Sequence, residues 1–270
     1  MELDRLQVAE LLFVVGLAGA LMACHASAPP TVKAASGTTT QSSGYQAPPD
    51  LVSVGVAPDG WIEVSGVATP GVAVRLATPT GAASFAAAES GGRWRMRIPS
   101  SPEPRLFGLS MSAAGRVVQA IGYLFIAPDG QTARLRAGGG SEVIERPAGG
   151  LRALVIDYDT QRAATLSGRA PTGVMLSLRV DGVERGQATA GPDGRFVMPL
   201  NQPLSSGNHH FDLVGADKEV EMQATIGAPV RLTNAPFFAM RSGAGWRVDW
   251  LTPGGGEQTT LILGAADRAL

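Results

Sequence analysis

The sequence predicts an all-β protein with two tandem β-sandwich domains. Three observations carry this prediction. The 35 glycines and 19 prolines make up one fifth of the 270 residues, a composition that favours short strands and turns over long helices. Segments of alternating apolar and polar residues are typical of half-buried strands. The pattern of these segments also recurs after about 100 residues, whereas helical periodicity is almost absent after residue 50.

Composition excludes several classes of function. The 22 basic and 23 acidic residues give a net charge of −1, which offers no sign of nucleic-acid binding. A single cysteine excludes an intramolecular disulfide, and three histidines leave little for a histidine-rich metal site. Motifs of serine hydrolases, zinc peptidases and P-loop nucleotide-binding proteins are absent. We therefore expect no catalytic residue, no cofactor and no metal.

The N-terminus carries a targeting pattern. Residues 11–23 form an uncharged apolar run that is shorter than the roughly 20 residues of a membrane-spanning helix and has the length of a signal-peptide core. The run ends in Leu-Met-Ala-Cys, with the cysteine at Cys24. This string resembles the lipobox of bacterial lipoproteins. The alternative is a buried N-terminal helix with an incidental cysteine.

The lipoprotein resemblance implies a membrane anchor. Residues 1–23 would be a signal peptide, and Cys24 would be acylated and become the first residue of the mature chain. His25 stands where an aspartate often signals retention in the inner membrane, so the resemblance favours the outer membrane, facing the periplasm. Residues 24–50 are rich in Ser, Thr, Ala, Pro and Gly and predict a flexible tether.

The remainder of the chain shows an internal duplication. We predict a first sandwich over residues 51–147, a second over 148–228 and a C-terminal β-hairpin extension over 229–270. The repeat holds an offset of 102 residues at three places. Those pairs are 64–66 with 166–168, 71–76 with 173–178, and 92–96 with 194–198. This offset makes Trp94 and Phe196 equivalent, and we expect both to be core aromatics.

The repeated strings also resemble a known family. Residues 64–74 read VSGVATPGVAV, and residues 91–96 read GGRWRM. These strings are similar to bacterial Ig-like repeats, and the resemblance implies an Ig-like sandwich. Gly71 and Gly173 suit a tight turn. The three Pro-Asp-Gly strings, at 58–60, 128–130 and 192–194, predict hairpin turns.

One strand offers a candidate contact surface. Arg93, Arg95 and Arg97 alternate with three apolar residues, so the arginines share one face of the strand. This face is either a basic ladder for an anionic envelope polymer or an ordinary solvated surface. Arg134 and Arg136 form a second basic pair.

The C-terminal segment carries two further candidates, Trp246 and Trp250. They lie on a predicted strand at 246–251, which is followed by another at 259–263. The two strands either extend a sheet of the second sandwich, so that both rings join its core, or dock a partner by strand addition. If Trp61, Trp246 and Trp250 are exposed, their rings could stack on sugars.

Two weaker sites involve titratable residues. His209 and His210 are adjacent on a predicted strand, so they face opposite sides and do not share a ligand. Asp157 and Asp159 could place two carboxylates on one face, as some Ca²⁺ sites require, but no third acid is near in the sequence.

Two functions remain open. The preferred hypothesis is a lipid-anchored envelope protein that acts as a non-enzymatic scaffold or protein-interaction module. The alternative is an accessory lipoprotein that binds carbohydrate or peptidoglycan. The expected partners are the membrane, through the N-terminal lipid, and an envelope protein or an anionic glycan. An enzyme is a third and less favoured hypothesis.

Overall fold

The computed structural model of the protein describes residues 46–145, 149–215 and 217–264. Within these ranges the chain forms strands and no helix, which confirms the all-β prediction. The described residues accordingly contain no helix of the length and hydropathy needed to cross a membrane. Cys24 and the rest of the predicted signal peptide and tether, up to residue 45, lie outside them.

The strands are joined by turns and short loops. In chain order they are β1 (Asp50–Val56), β2 (Ile62–Val67), β3 (Ala73–Ala77), β4 (Ala83–Ala87), β5 (Arg93–Ile98), β6 (Arg105–Ala113), β7 (Arg116–Ile126), β8 (Thr132–Leu135), β9 (Glu142–Val143), β10 (Arg152–Asp159), β11 (Ala164–Arg169), β12 (Met175–Val180), β13 (Val183–Thr189), β14 (Arg195–Pro199), β15 (Gly207–Gly215), β16 (Lys218–Ile226), β17 (Phe237–Ser242), β18 (Gly245–Leu251) and β19 (Glu257–Ile262).

The first sandwich has two antiparallel sheets. One has the order β1-β2-β5, and the other runs β4-β3-β6-β7 and continues into β8 and β9. As in Ig-like domains, the first, second and fifth strands share one sheet and the third, sixth and seventh share the other; here the fourth strand joins the latter. The core between the sheets includes Val64, Val74, Leu76, Trp94 and Met111.

The second sandwich repeats this plan. Strands β10, β11 and β14 form one sheet, and β13-β12-β15-β16 form the other. The duplication extends to strand register, because β1 and β10 show the same irregularity, immediately after Leu51 and Ala153 respectively. Phe196, Leu176 and Phe211 belong to its core.

Each sandwich packs its large aromatic residue against a glycine. Gly66 lies opposite Trp94, and Gly168 lies opposite Phe196. A Cβ added to Gly66 would come within 2.5 Å of the Trp94 ring, and one added to Gly168 within 2.7 Å of the Phe196 ring. Both aromatic residues are 2% exposed. The prediction that they occupy equivalent core positions is therefore confirmed.

The three Pro-Asp-Gly strings form hairpin turns, as predicted. The glycine of each string adopts a positive φ, between 72° and 84°, a conformation that other residues rarely accept. The aspartate side chain of each accepts a hydrogen bond from the backbone N–H two residues later, at 3.1–3.2 Å. These short-range bonds fix the turns locally.

The C-terminal strands complete a third core. β19 pairs with β10, and β18 and β17 follow, so the β14-β11-β10 sheet grows to six strands. Trp246 and Trp250 are buried, but not in the core of the second sandwich, as sheet extension was expected to place them. They pack instead with Phe125 and Leu135 of the first sandwich. The added strands extend both faces of the sheet. One face covers the core of the second sandwich, and the opposite face covers the first sandwich. The sequence expectation considered only the first of these faces.

Hydrogen bonds to a buried carboxylate reinforce this junction. Asp157 on β10 accepts bonds from the Ser141 backbone N–H at 2.8 Å and from the Thr260 hydroxyl at 2.7 Å. Gln258 on β19 donates to the Arg136 carbonyl and accepts from the Gly138 N–H. Burial raises the pKa of Asp157. These bonds engage both oxygens of the carboxylate and hold the β8–β9 loop on the second sandwich.

Candidate ligand-binding face

The candidate site is the outer surface of β1, β2 and β5, which we call the arginine face. Alternation along β5 buries Trp94, Met96 and Ile98 and exposes the arginines between them. The structure therefore places Arg93, Arg95 and Arg97 together on one rigid strand, as the spacing predicts.

Arg97 is already engaged at one end of the face. Its guanidinium bonds Asp59 at 2.5 Å, lies 3.8 Å from Glu63, and sits 5.5 Å from the centre of the Trp61 ring. The hydrogen bond to Asp59 raises the pKa of Arg97 and lowers the pKa of Asp59. Arg97 therefore positions the turn and the tryptophan more than it offers a free charge.

Arg95 and Arg93 are the available cations. Both side chains are exposed, and among the described residues no carboxylate oxygen lies within 4.0 Å of either guanidinium. Arg95 lies opposite Ser65, which lies opposite Ser53, and the two hydroxyl oxygens are 2.7 Å apart. Because one serine donates to the other, this row offers a guanidinium and one free hydroxyl hydrogen to an anionic group.

The face is grooved and partly apolar. Two shallow grooves, of about 530 and 580 Å³, share Val52, Ser65 and Arg95 in their linings. Val52 and Val56 are well exposed on β1. Carboxylates of Glu63 and Glu89 also lie along these grooves, so the surface combines charge, hydroxyl groups and apolar area.

The tryptophans do not form a shared stacking platform. Trp61 is 42% exposed beside Arg97, whereas Trp246 is 6% and Trp250 0% exposed. The Trp250 ring packs edge-on against Tyr123, and its N–H donates to Thr260. Neither Trp246 nor Trp250 can stack on a ligand, because their rings fill the third core.

Arg134 and Arg136 do not extend the basic surface. Both contact Glu142, each at 3.3 Å, and Arg134 also lies 2.7 Å from Asp50. Arg195 of the second sandwich contacts the same Glu142 carboxylate. The acids neutralise these arginines within a network that links the two sandwiches.

His209 and His210 face opposite sides of β15, as their adjacency predicts. His209 is buried, and its Nδ1 lies 2.6 Å from Asp181. Its Nε2 lies 3.3 Å from the Ser205 hydroxyl but closer, 3.0 Å, to the Ser205 carbonyl oxygen. This alignment resembles a serine hydrolase triad. Because Nε2 lies closer to the Ser205 carbonyl than to its hydroxyl, His209 instead links the loop after β12 to the loop before β15. The His210 backbone N–H also donates to Asp181, at 2.9 Å. This bond and, after it, the bond with His209 lower the pKa of Asp181.

Comparison with known proteins leaves the function open. No family model matches the chain, and no curated protein matches it. Among solved structures, a "Biofilm associated protein - BSP domain" aligns at 13% identity with a TM-score of 0.25. That alignment covers 68% of this chain and 30% of the other, so this chain spans less than a third of that structure's length.

Proposed function

We propose that this is a lipid-anchored protein of the bacterial envelope that acts without catalysis, as an interaction module. The arginine face is its contact surface, and the partner is an envelope protein with an acidic surface. The observation that supports this most concerns the arginines of the described ranges. Arg93 and Arg95 lie two residues apart on the exposed face of one strand and have no acidic partner within those ranges, whereas the other predicted basic pair, Arg134 and Arg136, lies against Glu142.

The chemistry of the face suits a protein partner. Arginine binds carboxylates in a bidentate manner and loses little hydration on contact. The exposed side chains of Val52 and Val56 supply apolar area beside it, and interfaces combine such area with arginine. Because the three strands are hydrogen-bonded along their length, the face is held ready for binding.

The double variant Arg93→Ala/Arg95→Ala is therefore expected to lose the partner in pull-downs of the acylated protein from its native envelope. The matched control is Arg75→Ala/Arg116→Ala, which removes two exposed arginines from the other sheet of the same sandwich. The control should capture the partner as the wild type does. If both double variants capture the same proteins as the wild type, the arginine face is not the contact surface.

A second candidate function is binding of an anionic glycan such as peptidoglycan. The Trp61 ring favours it, because the ring is 42% exposed and an exposed aromatic ring can stack on a sugar. Co-sedimentation with protein-free sacculi separates the two candidates. Binding that depends on Trp61, Arg93 and Arg95 supports the glycan, and absence of binding together with a captured protein supports the interaction module.

The lipid anchor has its own test. Cys24→Ala should release the protein from membrane pellets into the soluble periplasmic fraction, because the only acylated residue is lost. Ser27→Ala, a control in the same segment, should still pellet. Wild-type pelleting of Cys24→Ala, with no effect of globomycin on precursor size, would show that the lipoprotein proposal is wrong.

A further inference from the structure

A cluster of metal-binding side chains lies on the outer face of the β13-β12-β15-β16 sheet, apart from the arginine face. It consists of His210 and Asp212 on β15 and Glu221 on β16. Each offers one ligand atom, and the three atoms lie within 4.8 Å of one another. All three side chains are at least partly exposed, so an ion can reach them from solvent.

Strand geometry holds the three residues together. His210 and Asp212 are two apart on one strand and share a face. Glu221 lies directly opposite Asp212 in the β15–β16 register, where Cβ atoms are about 5 Å apart. The backbone of a long antiparallel ladder, paired from Gly207 to Ile226, therefore fixes the site.

The separations fit a small tetrahedral ion. Bonds of about 2.0–2.1 Å to zinc place neighbouring ligands of a tetrahedron about 3.3 Å apart. His210 Nε2 lies 2.7 Å from Asp212 Oδ1 and 3.8 Å from Glu221 Oε2. These two distances bracket the required value, so rotations of the side chains alone can admit the ion.

The ligand types indicate which ions fit. An imidazole with two carboxylates suits Zn²⁺ and other late first-row ions, whereas Ca²⁺ and Mg²⁺ prefer all-oxygen sites of higher coordination number. A bound ion would replace the 2.7 Å contact between His210 Nε2 and Asp212 Oδ1 with a bond from each atom to the metal. Arg179 on β12 lies opposite Asp212 in the strand register. Because this positive charge repels a cation, we expect the affinity for the metal ion to be modest.

We propose that His210, Asp212 and Glu221 bind one divalent transition-metal ion of the Zn²⁺ type, with water completing the coordination. The site is independent of the arginine face and of the proposed function. The sequence predicts no metal site. It could not indicate this one, because the third ligand lies on a neighbouring strand. Adjacency in the sequence draws attention to His209 instead, which faces the other way.

Calorimetric titration of the full-length protein with Zn²⁺ tests the proposal. We expect one saturable site, and both His210→Ala and Glu221→Gln should weaken it at least about tenfold, because even the loss of an outer-shell partner of a metal ligand costs about that much. Glu219→Gln is the matched control, because Glu219 is also exposed and lies on the same face of β16, two residues away. It should bind as the wild type does.

Folding of each variant is measured alongside its affinity for Zn²⁺. Each substitution replaces a partly exposed side chain, and circular dichroism of the metal-free proteins checks that they fold. Unchanged affinity in both His210→Ala and Glu221→Gln would overturn the proposal and place any binding elsewhere, for example at Cys24 and His25. Absence of saturable binding by the wild type would overturn it as well.

Discussion

Replacing Trp94 or Phe196 by alanine is expected to lower the free energy of unfolding by about 3–5 kcal/mol, as for other buried aromatic residues. Each ring fills the centre of its sandwich and lies over a glycine on the neighbouring strand. A cavity at either position cannot be closed by that neighbour, because glycine has no side chain to move into it. Chemical denaturation of each variant measures the loss.

The control for this pair is the neighbouring exposed residue. Val197→Ala truncates a side chain that is 51% exposed next to Phe196, and it should change stability by less than about 0.5 kcal/mol. A loss below about 1 kcal/mol for Trp94→Ala or Phe196→Ala would contradict the equivalence of the two core positions.

Deleting residues 237–270 should lower the melting temperature by about 10 °C or more and make the protein protease-sensitive. The deletion removes Trp246, Val248 and Trp250 from the third core and uncovers Phe125. Losing two buried tryptophans alone costs several kcal/mol, and each kcal/mol shifts the melting temperature by about 2–4 °C at this size. Thermal melts and limited proteolysis measure both effects.

A shorter deletion is the matched control. Removing only residues 265–270 leaves β17–β19 intact and should preserve the melting temperature. If the longer deletion melts as the wild type does but loses a partner in pull-downs, the strands are a docking element. Trp250→Ala compared with Trp61→Ala sharpens the test, because only the first ring is buried.

Much of the fold is predictable because its determinants are local. Alternation along β5 assigns each side chain to a face, and the Pro-Asp-Gly strings fix turns through contacts within five residues. The 102-residue offset then transfers these assignments to the second sandwich. The third core is not predictable in this way, because period-two alternation shows that Trp246 and Trp250 share a face but not which sheet covers it.

The candidate site shows the same division. The outward direction of Arg93, Arg95 and Arg97 follows from their spacing. The engagement of Arg97 by Asp59 does not, because it depends on a turn 38 residues earlier that the sheet register brings alongside. The Ser53–Ser65 row beneath Arg95 is equally invisible in the sequence, since serine in a strand carries no signal of its cross-strand neighbour.

The third core also bears on how the protein is made. Its covering strands, β17–β19, are the last of the described strands to leave the ribosome, whereas the surface that they cover, around Phe125 and Leu135, emerges more than 100 residues earlier. Because domains of a growing chain fold from the N-terminus, the first sandwich can close while this patch is still bare. The nascent chain therefore exposes an apolar surface until β17–β19 have been synthesised. During that interval the exposed apolar surface is a binding site for a chaperone that holds unfinished chains.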